Sequence, residues 1–191
     1  MSRIKRLARG GLTLGMLALA TSGMAAWLAE PAHGQTAYKP GPENITLPTD
    51  YQTRFVRYAT IDKAERKIVR FMYVNPEAAA AAKKGEPFPD GSVLVMEDHA
   101  ARLGPDNAPL VDMQGRFIPL PPILGVAVQE KRAGWGVGYP DEKRNGEWEY
   151  ARFNADGSRN AGPVEACFTC HKPRAAQDFT FTFWDYVQAR K

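Results

Sequence analysis

The chain is short of the residues that build cross-linked or metal-bound scaffolds. It has two cysteines and three histidines in 191 residues. The cysteines, Cys167 and Cys170, fall within four residues of each other, so a disulfide between them would staple nothing distant. That excludes a disulfide framework. A tetrahedral zinc site would need two further ligands. Beyond the leader described next, the chain offers no other cysteine and, outside the motif at 167–171, only His99. No internal repeat is visible.

An excess of one charge is also lacking once the leader is set aside. Residues 1–9 are positively charged, with Arg3, Lys5, Arg6 and Arg9. An apolar run follows over residues 10–29, and Ala32-His33-Gly34 then places small residues where a signal peptidase inspects them. Residues 1–34 thus read as a secretory signal peptide, cut after Gly34, which sends the protein to the periplasm. The alternative is an anchor in the inner membrane, because the run matches the roughly 20 residues a span needs. The run is rich in Gly, Ala, Thr and Ser rather than Leu and Ile, which favours cleavage. The leader holds four of the 25 basic residues and one of the 21 acidic ones, leaving 21 against 20 and a net charge of +1. The basic pI is mostly a property of the leader, and nothing suggests nucleic acid. The 157 residues that remain are enough for one domain with a core.

Residues 35–48 are rich in Pro and Gly and read as an irregular arm before a domain over 49–191. Five segments then have strand character: 55–59, 67–74, 92–97, 123–128 and 148–153. In the second, period two puts Ile68, Arg70, Met72 and Val74 on one side and Val69, Phe71 and Tyr73 on the other. Asn75-Pro76 opens a short helix, with Asn as cap and Pro in the first turn, and Lys83-Lys84-Gly85 ends it. Residues 104–122 read as a long polar loop. Pro163 opens a short helix carrying the cysteines, and residues 179–187 close the fold as strand or helix. Few helices lie between the strands, so the fold class is α+β, mainly an antiparallel sheet with a few short helices.

Cys167-Phe168-Thr169-Cys170-His171 is the spacing of c-type haem attachment. Two thiols add to the two haem vinyl groups, and the adjacent His171 imidazole reaches the iron as proximal ligand. One covalent haem c per chain is the expected cofactor. The rivals are a redox dithiol, which usually follows an early strand of a βαβ unit, and half of a zinc site. The sixth position on the iron decides the function. Met72, Met96, Met113 and His99 are the side chains that could fill it. For any one Met the bland reading is core packing. His99 follows Glu97-Asp98, leads into the polar loop, and reads as an exposed histidine.

Several patterns, in order, resemble the cytochrome P-460 family, including its cytochrome c′-beta relatives. They are Leu47-Pro48-Thr49-Asp50-Tyr51, Arg70-Phe71-Met72-Tyr73-Val74-Asn75-Pro76, Phe88-Pro89-Asp90-Gly91-Ser92-Val93-Leu94-Val95-Met96-Glu97, Gly146-Glu147-Trp148, and the late Cys167-to-His171 motif. The resemblance implies a mostly antiparallel sheet, a homodimer, and a five-coordinate haem c with a distal pocket near Arg70. The family's enzymes oxidise hydroxylamine, with Arg70 matching an arginine near their distal pocket. The c′-beta relatives bind nitric oxide and similar diatomics. Two positions depart from the enzymes. Met96 stands where they have a lysine cross-linked to the porphyrin, and Ala127 stands where they carry a pocket carboxylate. Leu94 and Met96 share a strand face. If that face looks at the haem, Met96 either ligates the iron or forms an apolar lid over it. The expected protein is a periplasmic monohaem cytochrome that binds small nitrogen-oxide ligands or passes single electrons to a redox partner. The alternative is a hydroxylamine-oxidising enzyme.

Overall fold

A computed structural model describes residues 39–191. The signal-peptide reading and the first residues of the arm lie outside the described residues.

Five strands form one sheet: β1 (Val56–Lys63), β2 (Ile68–Val74), β3 (Val93–Ala101), β4 (Pro119–Lys131) and β5 (Trp148–Phe153). Their order in the sheet is their order in the chain, and every neighbour is antiparallel. Antiparallel neighbours need no crossover; β1 and β2 are joined by a short connection, while the other three connections are long and carry α2, the loop before β4 and the segment before β5. The helices are brief: α1 (Tyr51–Arg54), α2 (Pro76–Ala81), α3 (Glu165–His171) and α4 (Thr182–Ala189). The α+β class with a largely antiparallel sheet is therefore the fold the protein has.

Period two gives the sheet two faces, and both are covered. One carries Val74, Leu94 and Tyr150 and packs against α2, α3 and α4 through Ala78, Phe168, Phe183 and Val187. The other carries Tyr73, Val95, Val128 and Phe153 and is covered by Ile45 and Tyr51 from the arm and α1. The arm is tied to β5 as well. Glu149 is buried and accepts from Gly41 N–H at 3.1 Å, Asn44 Nδ2 at 3.1 Å and Tyr139 OH at 2.9 Å.

The local readings need four adjustments. β1 and β3 run several residues further than their most strand-like stretches. β4 begins at Pro119, inside the expected loop, where register shifts opposite His99 accommodate a stretch with three prolines. Asn75 does not cap α2 with its side chain. Its amide oxygen accepts from Val93 N–H at 2.8 Å instead, joining the helix start to β3. The segment 179–187, which reads as strand or helix, holds most of α4 (Thr182–Ala189).

His99 is the clear correction. It was expected to be exposed and is 6% exposed. Its ring lies between the Leu120 carbonyl, 2.8 Å from Nδ1, and Glu97 Oε1, 2.8 Å from Nε2. Glu97 is buried too, and takes hydrogen bonds from Tyr51 OH, from Gln52 Nε2 at 2.7 Å and from Tyr73 OH at 3.4 Å. A polar local sequence misleads here because the strand turns Glu97 and His99 inward, where each has partners. This cluster also settles where His99 points. It lies with Tyr73 and Val95 on the face of the sheet covered by the arm.

Candidate functional site

The opposite face holds a cavity of about 510 Å³, within the range of about 300–1,000 Å³ that small-molecule and cofactor sites span. The sheet forms one wall. Met72, Met96 and Ala127 stand in register across β2, β3 and β4, and Leu94 lies opposite Gln129 one pair along. All five line the cavity. The period-two pattern puts them there, since each is separated from the next on its own strand by one residue of the other face.

Helix α3 forms the facing wall. Cys167, Cys170 and His171 all line the cavity. Positions three and four apart on a helix share a face, so both thiols and the imidazole look the same way. Phe168 turns to the other side and anchors the helix. Its ring packs 4.9 Å from Tyr139 and 4.8 Å from Tyr150, and its carbonyl accepts from Asn145 Nδ2 at 3.0 Å. The thiols are free rather than joined, Cys167 half-buried and Cys170 exposed. Burial pushes the Cys167 thiol up from its ordinary value, and the nearby Arg152 charge acts against that.

His171 is fixed on three sides. Its ring lies between Tyr150, 5.0 Å away, and Phe181, 4.9 Å away and nearly perpendicular. Its Nδ1 is 2.7 Å from the Phe179 carbonyl. A carbonyl can only accept, so Nδ1 carries the hydrogen and Nε2 keeps its lone pair. Burial pushes the imidazole below its usual value, opposed by that hydrogen bond, which favours the neutral ring a metal ligand must be.

Arg70 also lines the cavity, but not as a free cation. Its guanidinium grips Asp98 in a two-point pair, Nε to Oδ1 at 2.7 Å and Nη2 to Oδ2 at 2.9 Å. Arg66 adds a longer contact to Asp98 at 3.7 Å. Met113, one of the ligand candidates, is 97% exposed on the loop before β4 and far from consideration. The structure thus brings Arg70, Met72, Leu94, Met96, Ala127, Cys167, Cys170 and His171 to one cavity, and leaves out Met113 and His99. Asp98 and Gln129 were missed. Asp98 shares a face with Met96 and has the charge opposite to Arg70, a signal that becomes readable only once β2 and β3 are paired in register.

A family model described as Cytochrome P460 matches residues 48–182, a span that contains all five strands and the cysteine motif. The chain belongs to the cytochrome P460 family. Among curated proteins no match to the chain is found. Membership of the cytochrome P460 family implies a haem cofactor. The residues fit one. Two free thiols and an imidazole with an unprotonated Nε2 face an apolar wall of Leu94, Met72, Met96 and Ala127 across a single cavity.

Proposed function

We propose that this member of the cytochrome P460 family is a periplasmic monohaem c-type cytochrome that binds small ligands such as nitric oxide at the haem iron or passes single electrons. The observation that carries the reading is the convergence of Cys167, Cys170 and His171 on the cavity whose other wall holds Leu94 and Met96. Cys167 and Cys170 would each add across a vinyl double bond, sulfur to one carbon and hydrogen to its neighbour, forming two thioethers. His171 Nε2 would ligate the iron from the proximal side, with Nδ1–H held by Phe179. The haem supplies an iron that binds diatomic molecules and changes its charge by one electron.

On the distal side the chain offers thioethers and methyls. Met96, which lines the cavity, would serve either as a sixth ligand or as an apolar lid. Arg70 supplies hydrogen-bond donors to a polar ligand, with Asp98 holding its guanidinium. The resembling enzymes carry a carboxylate on this wall that can take a proton. Met72, Met96 and Ala127 carry none, and the Asp98 carboxylate on the same face of β3 is committed to Arg70. That favours the non-enzymatic reading. Export through residues 1–34 and a homodimer belong to the proposal.

The test is to express the chain in a host that matures c-type cytochromes and to record its spectra. Covalent haem that survives denaturation is expected, with ordinary c-type bands. Rapid carbon monoxide binding by the ferrous form marks an open iron and makes Met96 a lid. A ferric far-red charge-transfer band marks Met96 as ligand and an electron carrier. A strongly red-shifted ferrous Soret band, the sign of a cross-linked porphyrin, would overturn the reading of Met96. N-terminal sequencing of the periplasmic fraction and sedimentation analysis check the leader and the dimer.

A further inference from the structure

Behind His171 the backbone is bent in an unusual way. Asp178 and Phe179 are consecutive non-glycine residues with left-handed φ values of 47° and 55°. Such conformations persist only where surrounding contacts over-determine them. Here the contacts are specific. The Asp178 carboxylate accepts from Lys131 Nζ at 2.7 Å and from Phe88 N–H at 2.8 Å. Lys131 Nζ also donates to the Phe88 carbonyl at 2.8 Å, and both side chains of the ion pair are only 12% exposed. The result of the bend is to aim the Phe179 carbonyl at His171. That carbonyl accepts twice, from His171 Nδ1–H at 2.7 Å and from Gln129 Nε2 at 3.0 Å. Its two lone pairs are thereby both engaged.

We propose that Gln129, Lys131 and Asp178 form a proximal clamp that sets how strongly His171 donates to the haem iron, and through it the iron's reduction potential. The inference rests on the haem reading above. The second-shell partner of a ligating histidine fixes its tautomer and raises its basicity, and a more strongly donating ligand favours the ferric state. The two arms of the clamp then act in opposite directions. Lys131 and Asp178 hold the carbonyl close to Nδ1–H and strengthen that hydrogen bond. Gln129 draws on the same carbonyl and weakens it. Gln129 and Lys131 sit on one face of β4 two and four residues beyond Ala127, so the strand that forms the distal wall also carries the proximal clamp. None of the three is a ligand. They are positioning residues.

The test uses the haem-loaded full chain and the variants Gln129→Met, Lys131→Met and Asp178→Asn. Covalent haem content is measured first, then the potential by spectroelectrochemical titration. Gln129→Met is expected to lower the potential, and Lys131→Met and Asp178→Asn to raise it. Asn tolerates the left-handed backbone, so Asp178→Asn carries the test if Lys131→Met does not fold. A merely structural role would not give shifts of opposite sign. Potentials that stay at the wild-type value, or that all move in one direction, at full haem content overturn the clamp alone. A wild-type chain that takes up no covalent haem overturns the haem reading instead.

Discussion

Glu149 makes stability depend on pH in a way that can be worked out from its surroundings. It lies buried on β5 with the arm folded over it, and burial pushes its carboxyl from an ordinary 4.5 up to about 7, against the opposing hydrogen bond from Gly41 N–H. The folded value is raised above the unfolded one. The favourable contribution is therefore complete below about 4.5 and is lost as the pH rises through about 7. At about 1.4 kcal/mol per pH unit, the full interval is worth about 3 kcal/mol, most of which falls between pH 5 and pH 8. Urea unfolding at those two pH values, for wild type and Glu149→Gln, measures it. Gln keeps an oxygen for Gly41 and Tyr139 but sets an NH2 against Asn44 Nδ2, a clash of donors that lowers stability by about 1–3 kcal/mol at both pH values alike. The pH dependence is thus the diagnostic quantity, rather than stability at one pH. The wild type should lose about 2–3 kcal/mol more than the variant on going from pH 5 to pH 8. Equal losses in the two proteins would refute the reasoning.

Other perturbations follow from the same geometry. Glu97→Ala removes the acceptor shared by Tyr51, Gln52, Tyr73 and His99 and should cost about 3–5 kcal/mol in a urea titration. Because Glu97 faces away from the cavity, the haem absorption spectrum of protein that still folds should not change. Phe183→Ala empties a fully buried site on α4, where the ring packs 4.5 Å from Phe88 and 5.3 Å from Tyr58. The expected loss is about 3–5 kcal/mol in chemical denaturation. Cys167→Ala and Cys170→Ala should each leave a single thioether, and the double variant should show no haem staining on a denaturing gel. Staining that persisted in the double variant would remove the attachment assignment.

The strands, and the shared helix face of Cys167, Cys170 and His171, were legible because both are local. Alternation over a few residues distinguishes the two sides of β2, and it did so correctly for Arg70 and Met72 against Phe71 and Tyr73. The motif at 167–171 is helical spacing written in five letters. His99 was misread for the same reason. Judged by its neighbours Glu97 and Asp98 it looked solvated, yet the Leu120 carbonyl from 21 residues away closes over it. Arg70 lines the cavity, but its pairing was not readable, because its partner Asp98 lies 28 residues further along the chain.

The amino-acid order alone determined the α+β class, the alternation that sends Leu94 and Met96 to one face, and the position of two thiols and an imidazole on one side of a helix. These are properties of periods of two and of about 3.6 residues, carried by any short stretch of chain. Register decided the rest. It set Met72, Met96 and Ala127 side by side as one wall, bound Asp98 to Arg70, and brought Gln129 and Lys131 of β4 to the carbonyl and carboxylate behind His171. Such pairings join residues tens of positions apart, and no local preference encodes them. They arise only when the whole sheet closes and each buried polar group must find its partner.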